Sequence, residues 1–132
     1  MKFSTKSEYG LRALISLAQH QPEQPYSLAK IAQEQKISLS YLERLFAKLK
    51  KANLVKSEKG MNGGYSLVKA SNKISVKEIL TALEGSLAPY LCAGFGNLCK
   101  LDCDCSVKIV WQKLEKAMNK TLESIKLSQL VK

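Results

Sequence analysis

One histidine in 132 residues, with aromatic side chains at only 7% of the chain, leaves little for hydrolytic chemistry built on imidazole. No apolar run approaches the roughly 20 residues needed to cross a bilayer. The first nine residues are polar and basic, without the apolar centre of a secretory signal. The sequence therefore reads as cytoplasmic, with no membrane partner. There is no internal repeat and no low-complexity tract. Cysteine is missing from most of the chain, since all four lie within residues 92–105. Acids are also scarce, 11 against 21 lysines and arginines, for a formal charge of +10. What remains, 45% hydrophobic and 24% charged, is ordinary globular usage at the length of one domain, which excludes a largely disordered or collagen-like chain. The positive excess is uneven. Residues 1–70 hold 12 basic and 5 acidic side chains (+7), and residues 71–132 hold 9 and 6 (+3). A polyanionic partner is expected at the first half.

Leu11, Leu14, Ile15 and Ala18 recur at helical spacing and predict an amphipathic helix over residues 6–19, ended by Pro22 and Pro25. Ser27 reads as the N-cap of a short second helix through Leu28, Ile31 and Ala32 that runs out near Gln35. Ser40 and Glu43 fit a capping box for a third helix buried through Leu42, Leu45, Phe46 and Leu49. Two helices joined by a short turn suggest helix-turn-helix. Strands over residues 55–59 and 65–68 then flank a glycine-rich turn in which Asn62-Gly63 supplies positive φ, making a hairpin or wing. Ser75 and Glu78 repeat the capping box before Val76, Ile79, Leu80 and Leu83, with Gly85 as the stop. Val107, Trp111, Leu114, Met118, Thr121 and Ile125 form a heptad-like seam on a long last helix. That seam needs a partner, either a second copy or the chain's own first domain. The fold class is mainly α with a small β-hairpin wing: a winged helix-turn-helix domain over residues 1–85, a cysteine loop over 86–105, and a long dimerisation helix with its tail over 106–132.

The side of the third helix away from its apolar stripe carries Tyr41, Arg44, Lys48 and Lys51. Between Arg44 and Lys59 stand six basic residues (Arg44, Lys48, Lys50, Lys51, Lys56, Lys59) and one acid, Glu58. Alone, such a helix is as readily a solvated lysine face. Placed second in a helix pair and followed by a wing, it reads as a surface for DNA, its first turn on base edges and its lysines on phosphates. Glu43 is explained by its cap, or as an acceptor from cytosine N4. The cysteine pattern C-x6-C-x3-C-x-C, in a chain read as cytosolic, argues for metal or redox use. An iron–sulfur cluster, zinc and free redox thiols all remain open on spacing. So does a dithiol enzyme using Cys103 and Cys105, although the expectation is that the chain is not an enzyme and takes no small-molecule substrate.

In order along the chain, Lys6-Ser7-Glu8-Tyr9, Ile37-Ser38-Leu39-Ser40-Tyr41-Leu42-Glu43, Lys59-Gly60-Met61-Asn62-Gly63-Gly64-Tyr65, the cysteine loop, and Cys105 six residues before Trp111 resemble the Rrf2 family of winged helix-turn-helix regulators, in its IscR- and NsrR-like branch. The resemblance covers nearly the whole chain. It implies a homodimer whose long helices cross, a cluster in each cysteine loop near the partner's first helix, and binding to a palindromic double-stranded operator. It also implies DNA contacts at Ser38, Ser40, Tyr41, Glu43 and Arg44, which Lys48, Lys51 and the wing residues Lys59, Gly60, Asn62 and Gly63 complete. Lys59 replaces the usual arginine of the wing, and Met61 and Asn62 replace its proline and glycine. Lysine is a point charge where arginine forks, so weaker groove readout is expected there. For the cluster, 2Fe–2S or 4Fe–4S and easily lost on purification, Cys92, Cys99 and Cys105 match the family's cysteines. Where IscR-type members carry a histidine this chain has Lys108, so the fourth ligand falls to Glu8 of the partner subunit, as in NsrR-type members, or to Cys103. His20, in a polar context, reads as a surface residue.

Overall fold

The computed structural model describes residues 3–20, 25–59, 63–87 and 106–131. Along the chain run α1 (Thr5–Gln19), α2 (Leu28–Gln35), α3 (Leu39–Lys51), β1 (Val55–Glu58), β2 (Gly64–Leu67), a 3-10 turn (Ser71–Lys73), α4 (Val76–Glu84), α5 (Lys108–Ser124) and a second 3-10 turn (Leu127–Gln129). The predicted mainly helical, winged helix-turn-helix class is the one observed. The cysteines expected as metal ligands, Cys92, Cys99 and Cys105 with Cys103 as one candidate for the fourth, and wing residues Gly60 and Asn62, lie outside the described residues.

α1 is central, touching α2, α3, α4 and β2. That position explains where its periodicity misleads. Of the predicted stripe Leu14 is fully buried, whereas Leu11, Ile15 and Ala18 are only half-buried; Ser7, Gly10, Ala13, Ser16 and Leu17 make up the rest of the buried side. Small residues on that face let α4 approach. A Cβ on Gly10 would lie 2.4 Å from Leu83 Cδ1. The core gathers around Phe46, Leu14, Leu17, Ile31, Leu42, Leu45, Leu49, Ile74, Ile79 and Leu83.

The caps are local chemistry. Ser27 Oγ accepts from the Ala29 and Lys30 N–H groups at the start of α2, and Ser75 Oγ from Glu78 N–H at the start of α4. Glu78 then turns outward to Lys69 at 2.9 Å instead of closing its box. For α3 the predicted Ser40–Glu43 capping box does not form. The cap is Ser38, whose Oγ accepts from Tyr41 N–H at 3.3 Å, which puts Ser40 inside the first turn. Arg12 of α1 caps the other end of α2, its Nη2 donating to Gln35 O at 2.8 Å.

β1 and β2 pair antiparallel in the register Val55 with Leu67 through Glu58 with Gly64. The hairpin is fastened to the domain by a bridge the sequence does not advertise. Tyr26, just ahead of α2, exchanges two backbone hydrogen bonds with Tyr65, at 2.9 and 2.8 Å. Tyr65 also meets Phe46 edge-on, with ring centroids 5.1 Å apart. Gly64 is required here, because a Cβ would sit 2.3 Å from Tyr26 O. Beneath the bridge, the Tyr26 hydroxyl donates to Glu34, Ser16 Oγ donates to the same carboxylate at 2.8 Å, and His20 stacks on the Tyr26 ring. The Glu34 carboxylate pushes the Tyr26 pKa up to about 12, and the Tyr26 hydrogen bond, against burial, holds that of Glu34 below its ordinary value.

α5 packs on α4, with Lys77 paired to Glu123 at 2.8 Å. The chain then returns beside the segment ahead of α4. Val76 N–H donates to Ile125 O and Leu127 N–H to Ile74 O, both at 2.8 Å, and Leu127 is fully buried in the core. Leu127 therefore joins the same core as the residues of α1 to α4. At 1.5 Å per residue the 17 residues of α5 extend roughly 26 Å against roughly 14 Å for the nine of α4, so its first turns project beyond the domain.

Candidate nucleic-acid interface

On α3 the buried residues Leu42, Leu45, Phe46 and Leu49 define one side, and a helical period of 100° per residue puts Ser40, Arg44, Ala47 and Lys51 opposite them. All four are exposed. This outward row differs from the row Tyr41, Arg44, Lys48 and Lys51 expected from sequence. Tyr41 and Lys48 lie on the flank facing α1 and α4. Tyr41 is half-buried, its hydroxyl 3.1 Å from Thr5 Oγ1 and its ring edge-on to Tyr9 at 5.9 Å. Lys48 Nζ donates to Leu83 O at 3.4 Å, closing the end of α4. Desolvation first, and then the charge of Lys6, hold its pKa below the ordinary 10.5, with Glu84 opposing.

The opposite flank faces the wing. Lys50 Nζ donates to Ser57 Oγ of β1 at 2.9 Å, tying helix to hairpin. Leu39 and Glu43 lie on this flank and line a cleft of about 540 Å³ with Ser27, Leu28, Ala29, Gly63, Gly64 and Tyr65. With no capping box, the exposed Glu43 carboxylate has no hydrogen-bond or ion-pair partner among the described residues. Ser38 and Ser40 hydroxyls share a 3.0 Å hydrogen bond at the head of the helix. Lys59 is exposed at the foot of the wing, and Gly63 stands at the other side of the turn. The helix head and the wing thus sit side by side, joined through Tyr26–Tyr65 and Lys50–Ser57. An exposed acceptor, an exposed Arg and flanking ammonium groups can together meet base edges and phosphates.

Two residues that sequence reasoning passed over fix this arrangement. Glu84, the last residue of α4, accepts from Ser4 N–H at 2.6 Å, Ser4 Oγ at 2.8 Å and Ser7 Oγ at 2.7 Å, so it holds the start of α1. Burial would raise its pKa, but these bonds and the Lys6 charge outweigh burial and lower it. Tyr26 is the other. Both act across long sequence separations, and no local pattern marks them. Glu8 lies exposed in the first turn of α1, without a partner among the described residues. Lys108 is the first residue of α5. Among the described residues, no three His, Cys, Asp or Glu side chains converge on a metal site.

The outer side of α5 exposes Val107 (52%), Val110 (56%) and Leu114 (39%), followed by Ala117 and Thr121 at spacings of three and four. The predicted seam is thereby divided. Trp111, Met118 and Ile125 are half-buried, while Val107, Leu114 and Thr121 face outward with Val110.

Comparison with known proteins agrees with this architecture. A family model described as "Rrf2: Iron-dependent Transcriptional regulator" matches residues 3–132. The chain is 38% identical to the Protein rrf2 of Nitratidesulfovibrio vulgaris, over all of this chain and 88% of that one. Among solved structures, T. potens IscR is 43% identical, with a TM-score of 0.79 over 98% of this chain and 85% of that one. CymR, named as the global cysteine regulator of B. subtilis, is 35% identical, with a TM-score of 0.82 over 98% and 95%. These relatives are regulators, which sets aside the dithiol-enzyme reading of Cys103 and Cys105. With its wing, its helix pair and its match over residues 3–132, the chain belongs to the Rrf2 family of DNA-binding transcriptional regulators and is not an enzyme.

Proposed function

We propose that the chain works as a homodimer on a palindromic operator, reading base edges through the head of α3 and phosphates through its lysines and wing. It would respond to redox state, nitric oxide or cluster supply through an iron–sulfur cluster held by its cysteine segment. The observation that carries the DNA reading is the outward row Ser40, Arg44 and Lys51 with the uncommitted Glu43 carboxylate beside it and the wing adjoining. Ser38, Ser40, Glu43 and Arg44 are assigned to bases and nearby phosphates. Lys51 and Lys59 are assigned to phosphates, with Gly60, Asn62 and Gly63 bringing the wing backbone to the groove. Tyr41 and Lys48 contribute from the flank. The stripe Val107, Val110, Leu114, Ala117 and Thr121 supports dimerisation, because a projecting helix with an apolar face in water lowers its free energy by pairing.

Cys92, Cys99 and Cys105 with either Glu8 of the partner subunit or Cys103 make a donor set suited to iron, three or four thiolates with at most one carboxylate. Lys108 is not assigned as a ligand, since an ammonium group has no lone pair to give a metal. Glu8, exposed and with no side-chain partner among the described residues, fits the ligand role. Once bound, the cluster would supply a centre that oxidants and nitric oxide attack. The protein's part is to set the separation of the two α3 helices, since two half-sites are held together at one spacing only. The likeness to CymR favours a second reading, the same DNA-binding regulator without a cluster, its loop carrying zinc, a modified thiol or a partner protein.

Two measurements test these readings. Operator affinity at fixed salt is expected to differ between cluster-loaded protein, metal-free protein and Cys92→Ala, and equal affinities refute sensing through the loop. Visible absorption with iron and acid-labile sulfide counted per dimer, on anaerobic wild type, Glu8→Ala and Cys103→Ala, names the fourth ligand. A colourless protein even after anaerobic reconstitution overturns the cluster and leaves the second reading.

A further inference from the structure

Leu39 is the first residue of α3, and 41% of its surface is exposed at the head of the helix that carries Glu43 and Arg44. An apolar side chain at that place is not needed by the core, which α3 fills with Leu42, Leu45, Phe46 and Leu49. It lines the cleft between α2, α3 and the wing, whose other walls are Leu28, Ala29 and Tyr65 with the glycines of the hairpin. The Ser27 hydroxyl in that cleft is already used by the α2 cap. Among the described residues the Glu43 carboxylate is the one charged acceptor lining the cleft, on the same flank as Leu39 at a spacing of four residues.

We propose that Leu39 is a specificity-determining residue of the DNA interface, reading the C5-methyl group of a thymine next to the base that Glu43 reads. The proposal rests on the DNA-binding reading of α3 above and adds to it a chemical class of target. The chemistry of the pair differs by design of the duplex itself. A carboxylate accepts from an exocyclic amine, as on cytosine N4, whereas an exposed isobutyl group gains only from another apolar group. In the major groove the thymine methyl is the one such group presented by a base pair. Four residues of helix advance roughly 6 Å, and base pairs stack at about 3.4 Å, so the thymine lies one or two steps from the base at Glu43. The Leu28, Ala29 and Tyr65 side chains supply further carbon surface beside that contact.

The test uses the full-length dimer and a duplex operator recovered by selection from a random pool. Each thymine is replaced in turn by deoxyuridine, which removes the methyl and leaves the hydrogen-bonding edge intact. One thymine per half-site, one or two steps from the base sensitive to Glu43→Ala, is expected to weaken binding about fourfold when replaced, the value of burying one methyl group. In Leu39→Ala that thymine-to-uracil ratio is expected to fall to one, while Leu39→Met keeps it. The scan on wild type needs no variant, so a misfolded Leu39→Ala does not obscure it. Selective binding with no uracil-sensitive thymine near the Glu43 base overturns the role of Leu39 and leaves the DNA reading standing. A sensitivity that persists unchanged in folded Leu39→Ala also overturns it. If no sequence is enriched from the pool, the DNA-binding reading itself fails, and the proposal with it.

Discussion

Replacing Gly64 by alanine strikes the point at which the wing is fastened to the helical domain. Gly64 has φ +154°, and an added Cβ would lie 2.3 Å from Tyr26 O, 2.4 Å from Tyr26 C and 2.9 Å from Ser27 N. Every one of these is a backbone atom, so nothing can swing aside. The strand must withdraw by about 1 Å to restore contact distance. Withdrawal breaks the paired Tyr26–Tyr65 hydrogen bonds, now at 2.9 and 2.8 Å, and pulls Tyr65 from the Phe46 ring. Two backbone bonds between half-buried residues at about 1 kcal/mol each, with about 1–2 kcal/mol of backbone strain, give a loss on the order of 3 kcal/mol. With m near 2 kcal/mol per molar in urea, the midpoint falls by about 1.5 M. Gly85→Ala is the control. Its φ of +87° and ψ of −132° also favour glycine, but nothing lies within 4 Å of an added Cβ, so a conformational cost on the order of 1–3 kcal/mol applies with no clash and no loss of the Tyr26–Tyr65 bonds. Urea melts of both variants, with hydrogen exchange of the Tyr26 and Tyr65 amides, decide the matter. The Tyr26 and Tyr65 amides should lose protection in Gly64→Ala and keep it in Gly85→Ala, and a Tyr65 amide still protected in Gly64→Ala would refute the reasoning.

Other outcomes follow from the same geometry. Gly10→Ala should cost about 1–3 kcal/mol in a urea melt, because Leu83 is itself fully buried and has little room to yield to a Cβ at 2.4 Å. Glu84 has a folded pKa below its ordinary 4.5, so its contribution is fully present above that value and is lost as pH falls through the folded pKa. Stability against pH should therefore drop below about 4.5 in wild type, and Glu84→Gln should be weaker at neutral pH and lose less on acidification. Lys51→Ala should lower the slope of log affinity against log salt by about 0.9 per DNA-contacting subunit, and Lys48→Ala, whose ammonium is held at Leu83 O, by less. Glu43→Ala and Arg44→Ala should relax sequence preference instead, and equal losses on operator and random DNA would sink that assignment. Leu114→Asp should shift sedimentation from dimer to monomer, since a charge on the exposed α5 stripe cannot be desolvated cheaply.

Elements whose chemistry is local were readable from sequence, and features made by distant parts meeting were not. Ser27 and Ser75 announce α2 and α4 because a cap hydroxyl needs only the amides two or three residues on. The alternation around the glycine-rich turn announces the hairpin for the same reason. Glu43 shows the limit of a pattern. Ser40 and Glu43 satisfy a capping box on paper, but Ser38 reaches Tyr41 N–H first, so the helix begins earlier and Glu43 is released from the cap. One shift of two residues thus separates a structural acid from an acid free to read a base. α1 shows the other limit. Its amphipathic stripe is correct as a helix signal and only partly a map of burial, because a helix surrounded by neighbours buries the side where they can approach closest. That side carries Ser7, Gly10 and Ala13 beside Leu14 and Leu17, and leaves Leu11 and Ile15 half-buried. Lys48 follows from the same crowding. Its spacing from Arg44 and Lys51 puts it on a basic face, yet the end of α4 lies against that flank, and its carbonyl at Leu83 claims the ammonium. What the recognition surface offers to DNA is thus set as much by what α1 and α4 cover as by what α3 spells, leaving Leu39, Ser40, Glu43, Arg44 and Lys51 exposed on it.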